Sequence, residues 1–147
     1  MTVLAFDGVT LAADKRASMG STIYTTTKIF RVMNCLVGYA GEQAFGEQVL
    51  AWFKNGQRPE EFPQSQRDKE DWASLMVVKA SGSVWIYERT PYPIFYQDKL
   101  VAIGRGRDYA LAAMHCGKTA AEAVALTCLL DSSCGNGVDT LTFGQGG

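Results

Sequence analysis

What most constrains the fold is how little chain separates the apolar runs. Val3 to Phe6 and Val9 to Ala13 are joined by Asp7-Gly8, and Ile29 to Val32 and Cys35 to Ala40 by Met33-Asn34. Ser74 to Lys79 and Ser83 to Glu88 meet around Ser81-Gly82. Parallel strands need a crossover of roughly a dozen residues, so strands joined this tightly run antiparallel. Asp-Gly between apolar strands is the strongest short-range hairpin cue. A two-residue Asp7-Gly8 turn pairs position i with 15 − i, which sets Phe6 against Val9, Thr2 against Ala13 and Met1 against Asp14.

From Glu42 to Lys54 the period changes. Phe45, Val49, Trp52 and Phe53 fall at helical spacing, and Asn55-Gly56 stops the run. Gln57 to Asp71 is polar, carries Pro59 and Pro63, and reads as a loop with one helical turn. A short strand, Ile94 to Tyr96, leads into Leu100 to Ile103. A helix over Arg107 to Cys116 follows. A second helix begins at Thr119, where Thr119-Ala120-Ala121-Glu122 forms a capping box. Val138 to Phe143 is the last strand, ahead of a glycine-rich end.

This order, with no repeat or linker dividing residues 1–147, predicts a single α+β domain of antiparallel sheets with segregated helices. The continuous apolar runs Cys35 to Tyr39 and Leu75 to Val78 suggest strands covered on both faces. Two packed sheets with helices outside would provide that cover.

Composition narrows the function. With 47% hydrophobic residues and a net charge of -1, the chain is neither disordered nor charged enough to attract nucleic acid or an anionic membrane. No apolar run approaches the ~20 residues of a membrane span. The opening lacks the basic start and apolar stretch of a secretion signal, so a cytoplasmic location is expected. The cluster Arg67-Asp68-Lys69-Glu70-Asp71 mixes both signs and reads as a solvated connection. Cys35, Cys116, Cys128 and Cys134 include no Cys-x-x-Cys pair, and His115 is the one histidine. Reduced thiols are expected, with no metal site and no cofactor.

The residues that could do chemistry begin at the N-terminus. Methionine before a residue as small as Thr2 is normally trimmed, which would leave Thr2 first. An N-terminal threonine carries nucleophile and base together: its hydroxyl attacks, and its α-amine, with an unperturbed pKa of about 7.7–8.0, takes the proton. Such a unit needs a nearby lysine, an acid to orient it, and backbone donors for the oxyanion. Asp14, on the strand paired with the first, and Lys28, at the start of the next strand, are placed to meet there. A second candidate nucleophile is Cys134, with His115 as base and Asp131 as orienter. Gly104-Arg105-Gly106, between a strand and a helix, has the look of a phosphate-binding turn but lacks the third glycine and the later acid. Trp52, Trp72 and Trp85 read as core or interface anchors.

Several stretches, in order along nearly the whole chain, resemble the proteasome β-subunit and bacterial HslV peptidase family of threonine-type N-terminal nucleophile hydrolases. They are Thr2-Val-Leu-Ala-Phe, Val9-Thr-Leu-Ala-Ala-Asp14-Lys-Arg16-Ala-Ser18, Thr27-Lys28-Ile-Phe-Arg-Val and Leu36-Val-Gly-Tyr-Ala-Gly41. The series continues through Leu100-Val-Ala-Ile-Gly104-Arg-Gly106 and Asp131-Ser-Ser-Cys134-Gly135. The resemblance implies a four-layer αββα sandwich. It also implies an endopeptidase acting on polypeptide within a homo-oligomeric ring, for which an ATP-dependent unfoldase would be the partner.

Carried over, Thr2 is the nucleophile, Asp14 orients Lys28, and Lys28 lowers proton affinity around the threonine. The Gly41 N–H binds the oxyanion, Arg16 is a structural support, and Asp131 with Cys134 backs up the threonine. Two positions depart from the pattern: Arg105 and Cys134 both stand where serine is usual. The alternative implied is a family member that keeps the fold as a scaffold subunit without the chemistry.

Overall fold

The computed structural model describes residues 2–64 and 72–144, so the mixed-charge cluster at 67–71 lies outside the described residues. The elements run β1 (Val3–Phe6), β2 (Thr10–Asp14), β3 (Arg16–Met19), β4 (Thr22–Thr25), β5 (Ile29–Val32), β6 (Cys35–Gly41) and α1 (Gln43–Lys54). After a 3-10 turn at Pro59–Glu61 come β7 (Ala73–Lys79), β8 (Val84–Tyr87), β9 (Ile94–Tyr96), β10 (Val101–Gly104), α2 (Arg107–His115), α3 (Ala120–Leu130) and β11 (Val138–Thr142). Apart from β3 and β4, each follows the apolar runs and stop signals of the sequence. Glu42 accepts the Phe45 N–H at 2.6 Å and so starts α1. The Thr119–Glu122 capping box forms at both ends.

One antiparallel sheet has the order β10-β1-β2-β11, and a second the order β5-β6-β7-β8-β9. Strand alternation sorts their side chains into three apolar layers. Leu4, Phe6 and Leu11 of the first sheet meet Leu36, Met76 and Ile86 of the second. The opposite face of the first sheet, with Val3, Ala5 and Ala12, packs under α2 and α3 through Ala110, Met114, Ala123 and Val124. The far face of the second, with Val37, Tyr39, Leu75 and Val77, packs under Phe45, Val49 and Phe53 of α1. The result is the αββα sandwich that the resemblance implied. Burying a leucine or phenylalanine in such layers contributes about 1.5–3 kcal/mol.

The β3–β4 hairpin is an addition that the sequence reading does not contain. It forms its own two-stranded sheet, and Met19 and Ile23 are exposed. With little burial on either face, it leaves no apolar alternation to detect.

The first hairpin corrects the expected register. Leu4 lies opposite Ala13, Ala5 opposite Ala12 and Phe6 opposite Leu11, so paired positions sum to 17 and not 15. The turn is centred on Gly8-Val9, with Gly8 at φ 98° in the left-handed region that glycine adopts freely. Asp7 moves to the flank because its carboxylate is worth more there. Its Oδ1 accepts the N–H groups of Val9 at 2.9 Å and Thr10 at 2.8 Å, and its Oδ2 accepts the Ala120 N–H at 2.9 Å. One side chain thus closes the turn and docks it on α3.

Asp7→Asn is expected to cost about 2 kcal/mol in urea denaturation at neutral pH, on the scale of a lost cap. Partial burial pushes the Asp7 carboxyl up, but the N–H donors of Thr10, Ala120 and Val9 outweigh it and hold it below the usual range. Its stabilisation is therefore present above the unfolded carboxylate pKa and lost as pH falls through the lower folded value. The gap between wild type and variant should close below about pH 4.

Candidate active site

The register change brings the start of β1 against Asp14. Asp14 is fully buried, and its carboxylate is saturated with donors. Oδ1 accepts the Lys28 ammonium at 2.8 Å and the Val3 N–H at 3.1 Å. Oδ2 accepts the N–H groups of Arg16 at 3.2 Å and Gly135 at 3.0 Å. Lys28, only 3% exposed, precedes β5, and its carbonyl accepts the Tyr39 N–H at 3.2 Å, which fixes it beside β6. Burial pushes the Lys28 ammonium below the ordinary lysine range, and the Asp14 charge pulls partly the other way. One carboxylate oxygen therefore ties the residue after Thr2 to a buried cation.

Thr2, Lys28 and Gly41 line a cleft of about 940 Å³. The β3–β4 hairpin forms one wall through Met19 and Tyr24, and the start of α1 forms the other through Gln43 and Glu47. Tyr24 donates to Gln43 Oε1, and Gln43 Nε2 donates to Thr26 Oγ1 at 3.1 Å, so the walls are cross-linked. Tyr39 donates its hydroxyl to Glu47 at 2.8 Å.

Arg16, which also lines the cleft, reaches the segment before β11. Its Nε donates to Asn136 Oδ1 at 3.0 Å, and its Nη1 to the Ser132 carbonyl at 2.7 Å. The same segment returns the Gly135 N–H to Asp14, so Arg16 holds in place one of the donors on the central carboxylate. Asp131 ends α3 and accepts from both the N–H (2.8 Å) and the hydroxyl (2.6 Å) of Ser133. Those bonds hold its carboxyl below the usual range. The hydroxyl beside Asp131 thus belongs to Ser133, which the sequence reading does not single out.

Cys134 is 1% exposed among the small residues beneath α2 and α3, and burial pushes its thiol up to about 11. A thiol held protonated is a poor nucleophile. His115 stands exposed at the end of α2. In the native protein Cys116, which is exposed, should alkylate readily at pH 8. Cys134 should react only after denaturation, as peptide mass mapping would show. Of the tryptophans, Trp52 is buried in the core, and Trp72 and Trp85 pack partly buried against it.

The Gly104-Arg105-Gly106 turn lies against Thr2. Gly106 donates its N–H to the Thr2 carbonyl at 3.3 Å, and β10 pairs Gly104 with Val3. Arg105 is exposed. The glycine pair after a strand was the visible signal; its contact, about a hundred residues upstream, was not.

A family model described as "Proteasome subunit" matches residues 1–62. Among solved structures, Thiobacillus denitrificans BPH superposes with a TM-score of 0.71 at 17% identity, over 96% of this chain and 96% of that one. Thiobacillus denitrificans BPH in complex with epoxomicin gives a TM-score of 0.70 at 16% identity, over 96% and 97% of the two chains. No curated protein matches. The family model covers less than half of the chain, and the superpositions, at 17% and 16% identity, show a shared fold. Among the described residues, no helix is long and apolar enough to cross a membrane.

Proposed function

We propose that the chain is a threonine-type amide hydrolase that cleaves polypeptide with Thr2 as its nucleophile. The observation that carries this reading is the placement of Thr2 in the cleft, one residue from an Asp14–Lys28 pair that is buried on both sides. Removal of Met1 leaves a free α-amine on Thr2. The Thr2 hydroxyl attacks the scissile carbonyl carbon and passes its proton to that amine, while the Lys28 charge stabilises the developing alkoxide. The carbonyl oxygen, now an oxyanion, accepts from the Gly41 N–H. The amine then protonates the leaving nitrogen, the C–N bond breaks, and an ester to Thr2 remains. Water, deprotonated by the same amine, hydrolyses that ester and frees the hydroxyl.

Asp14 orients Lys28, and Arg16 secures the Gly135 end of the network. In this reading Asp131 and Cys134 back up the threonine, with Ser133 as the hydroxyl that Asp131 holds. The family match supports a hydrolase at family level. The epoxomicin complex of the T. denitrificans protein supports a site on this fold that takes such a ligand. A cytoplasmic homo-oligomeric ring that encloses the cleft belongs to the same reading, with an ATP-dependent unfoldase as its feeder.

Incubation with an unfolded polypeptide, alongside native mass measurement, tests both parts. Peptide products from a ring-sized assembly are expected. An assembly that cleaves nothing would identify a scaffold subunit, and a stable monomer would remove the ring.

A further inference from the structure

The Gly104-Arg105-Gly106 turn is the sequence motif that neither phosphate binding nor the catalytic scheme absorbs. Its surroundings give it a different task. The Gly106 N–H donates to the Thr2 carbonyl at 3.3 Å. Gly104, at φ 98°, lies so close that a Cβ there would overlap the Thr2 carbonyl oxygen and carbon. A Cβ at Gly106 would meet Thr127 Cγ2 at 2.5 Å and Val3 Cβ at 3.1 Å.

The turn is itself immobilised. β10 holds Gly104 opposite Val3, Arg107 Nη1 donates to the Gly104 carbonyl at 3.0 Å, and the Ala110 N–H donates to the Gly106 carbonyl at 3.2 Å as α2 begins. Thr2 therefore has the Asp14 network on one side, through the Val3 N–H, and this turn on the other, through its own carbonyl. Neither contact uses the Thr2 hydroxyl or its α-amine.

We infer that Gly104 and Gly106 are positioning residues: their bare backbone forms a seat that grips Thr2 by its carbonyl and sets where its hydroxyl and amine stand relative to Lys28. The kinetic consequence rests on the hydrolase reading above; the structural consequence does not. Displacing a reacting group by about 1 Å costs on the order of 100-fold in rate.

The test compares Gly104→Ala, Gly106→Ala and Gly106→Ala/Thr127→Ser, using crystal structures and steady-state hydrolysis of a peptide amide. Gly104→Ala should move the Thr2 carbonyl off the Gly106 N–H and lower kcat about 100-fold, with KM held within about threefold. Gly106→Ala should lower kcat about 10-fold. Thr127→Ser in that background removes the Cγ2 that a new Cβ meets, and should restore most of the loss.

Thr2 unmoved in Gly104→Ala, wild-type kcat in that variant, or no recovery in the double variant would each overturn the inference. Should Gly104→Ala not fold, the Gly106→Ala pair decides alone. Activity lost in Thr2→Ala but unchanged in every glycine variant would sink the seat and spare the hydrolase. Absence of activity in the wild type would sink the hydrolase, and the displacement of Thr2 would still decide the seat.

Discussion

Thr2→Ala should abolish amide hydrolysis, lowering kcat/KM by at least about 1000-fold, because it removes the attacking oxygen and leaves only binding and oxyanion stabilisation. The expected loss is specific to chemistry. The side chain is small, and its removal from a site only 4% exposed costs about 1 kcal/mol in stability. Thr2→Ser keeps the hydroxyl next to the amine and should retain activity within about tenfold. The pair of variants separates a missing nucleophile from a disturbed strand: loss in alanine with retention in serine is the pattern required. Full activity in Thr2→Ala would place the nucleophile elsewhere.

The largest effect on stability should come from Asp14. Asp14→Ala removes the fully buried acceptor of three backbone N–H groups, from Val3, Arg16 and Gly135, and of the Lys28 ammonium. Breaking a buried pair from one side costs about 3–5 kcal/mol. In a chain of this length that corresponds to a fall in Tm of roughly 10–15 °C. Lys28→Met should cost less, about 1–3 kcal/mol, because the Asp14 carboxylate keeps its three N–H donors and methionine fills the space of the lysine stem. Both variants should be inactive. The ordering of their melting temperatures, measured by calorimetry, checks the account; equal losses would mean that the backbone donors contribute nothing.

Much of the scaffold was legible because its strands and helices bury one face each. Cys35 to Ala40 and Leu75 to Val78 are apolar without interruption because sheets and helices cover both sides of them, and the observed burial follows that pattern. The register of the first hairpin was not legible, for a definite reason. Side chains alternate with period two, so pairing sums of 15 and 17 bury the same faces and no apolar pattern can separate them. The Asp7 carboxylate decides between them through its hydrogen bonds to Val9, Thr10 and Ala120. The last of these partners is distant in sequence.

The same limit hid the Gly104 seat and the Gly135 donor. Asp14 and Lys28 stood out as residue types that the chemistry of an N-terminal threonine requires. The backbone groups that fix them carry no residue-type signature, apart from the glycines that let the chain approach. The β3–β4 wall escaped because its exposed threonines serve equally well in a loop.

The most direct measurement is intact-mass and peptide-level mass spectrometry of the purified protein, before and after treatment with a threonine-directed electrophile. The purified chain should lack Met1 and gain one adduct, mapped to Thr2 and absent from Thr2→Ala. A chain that retains Met1, or an adduct that forms elsewhere while hydrolysis proceeds, would contradict the Thr2 mechanism.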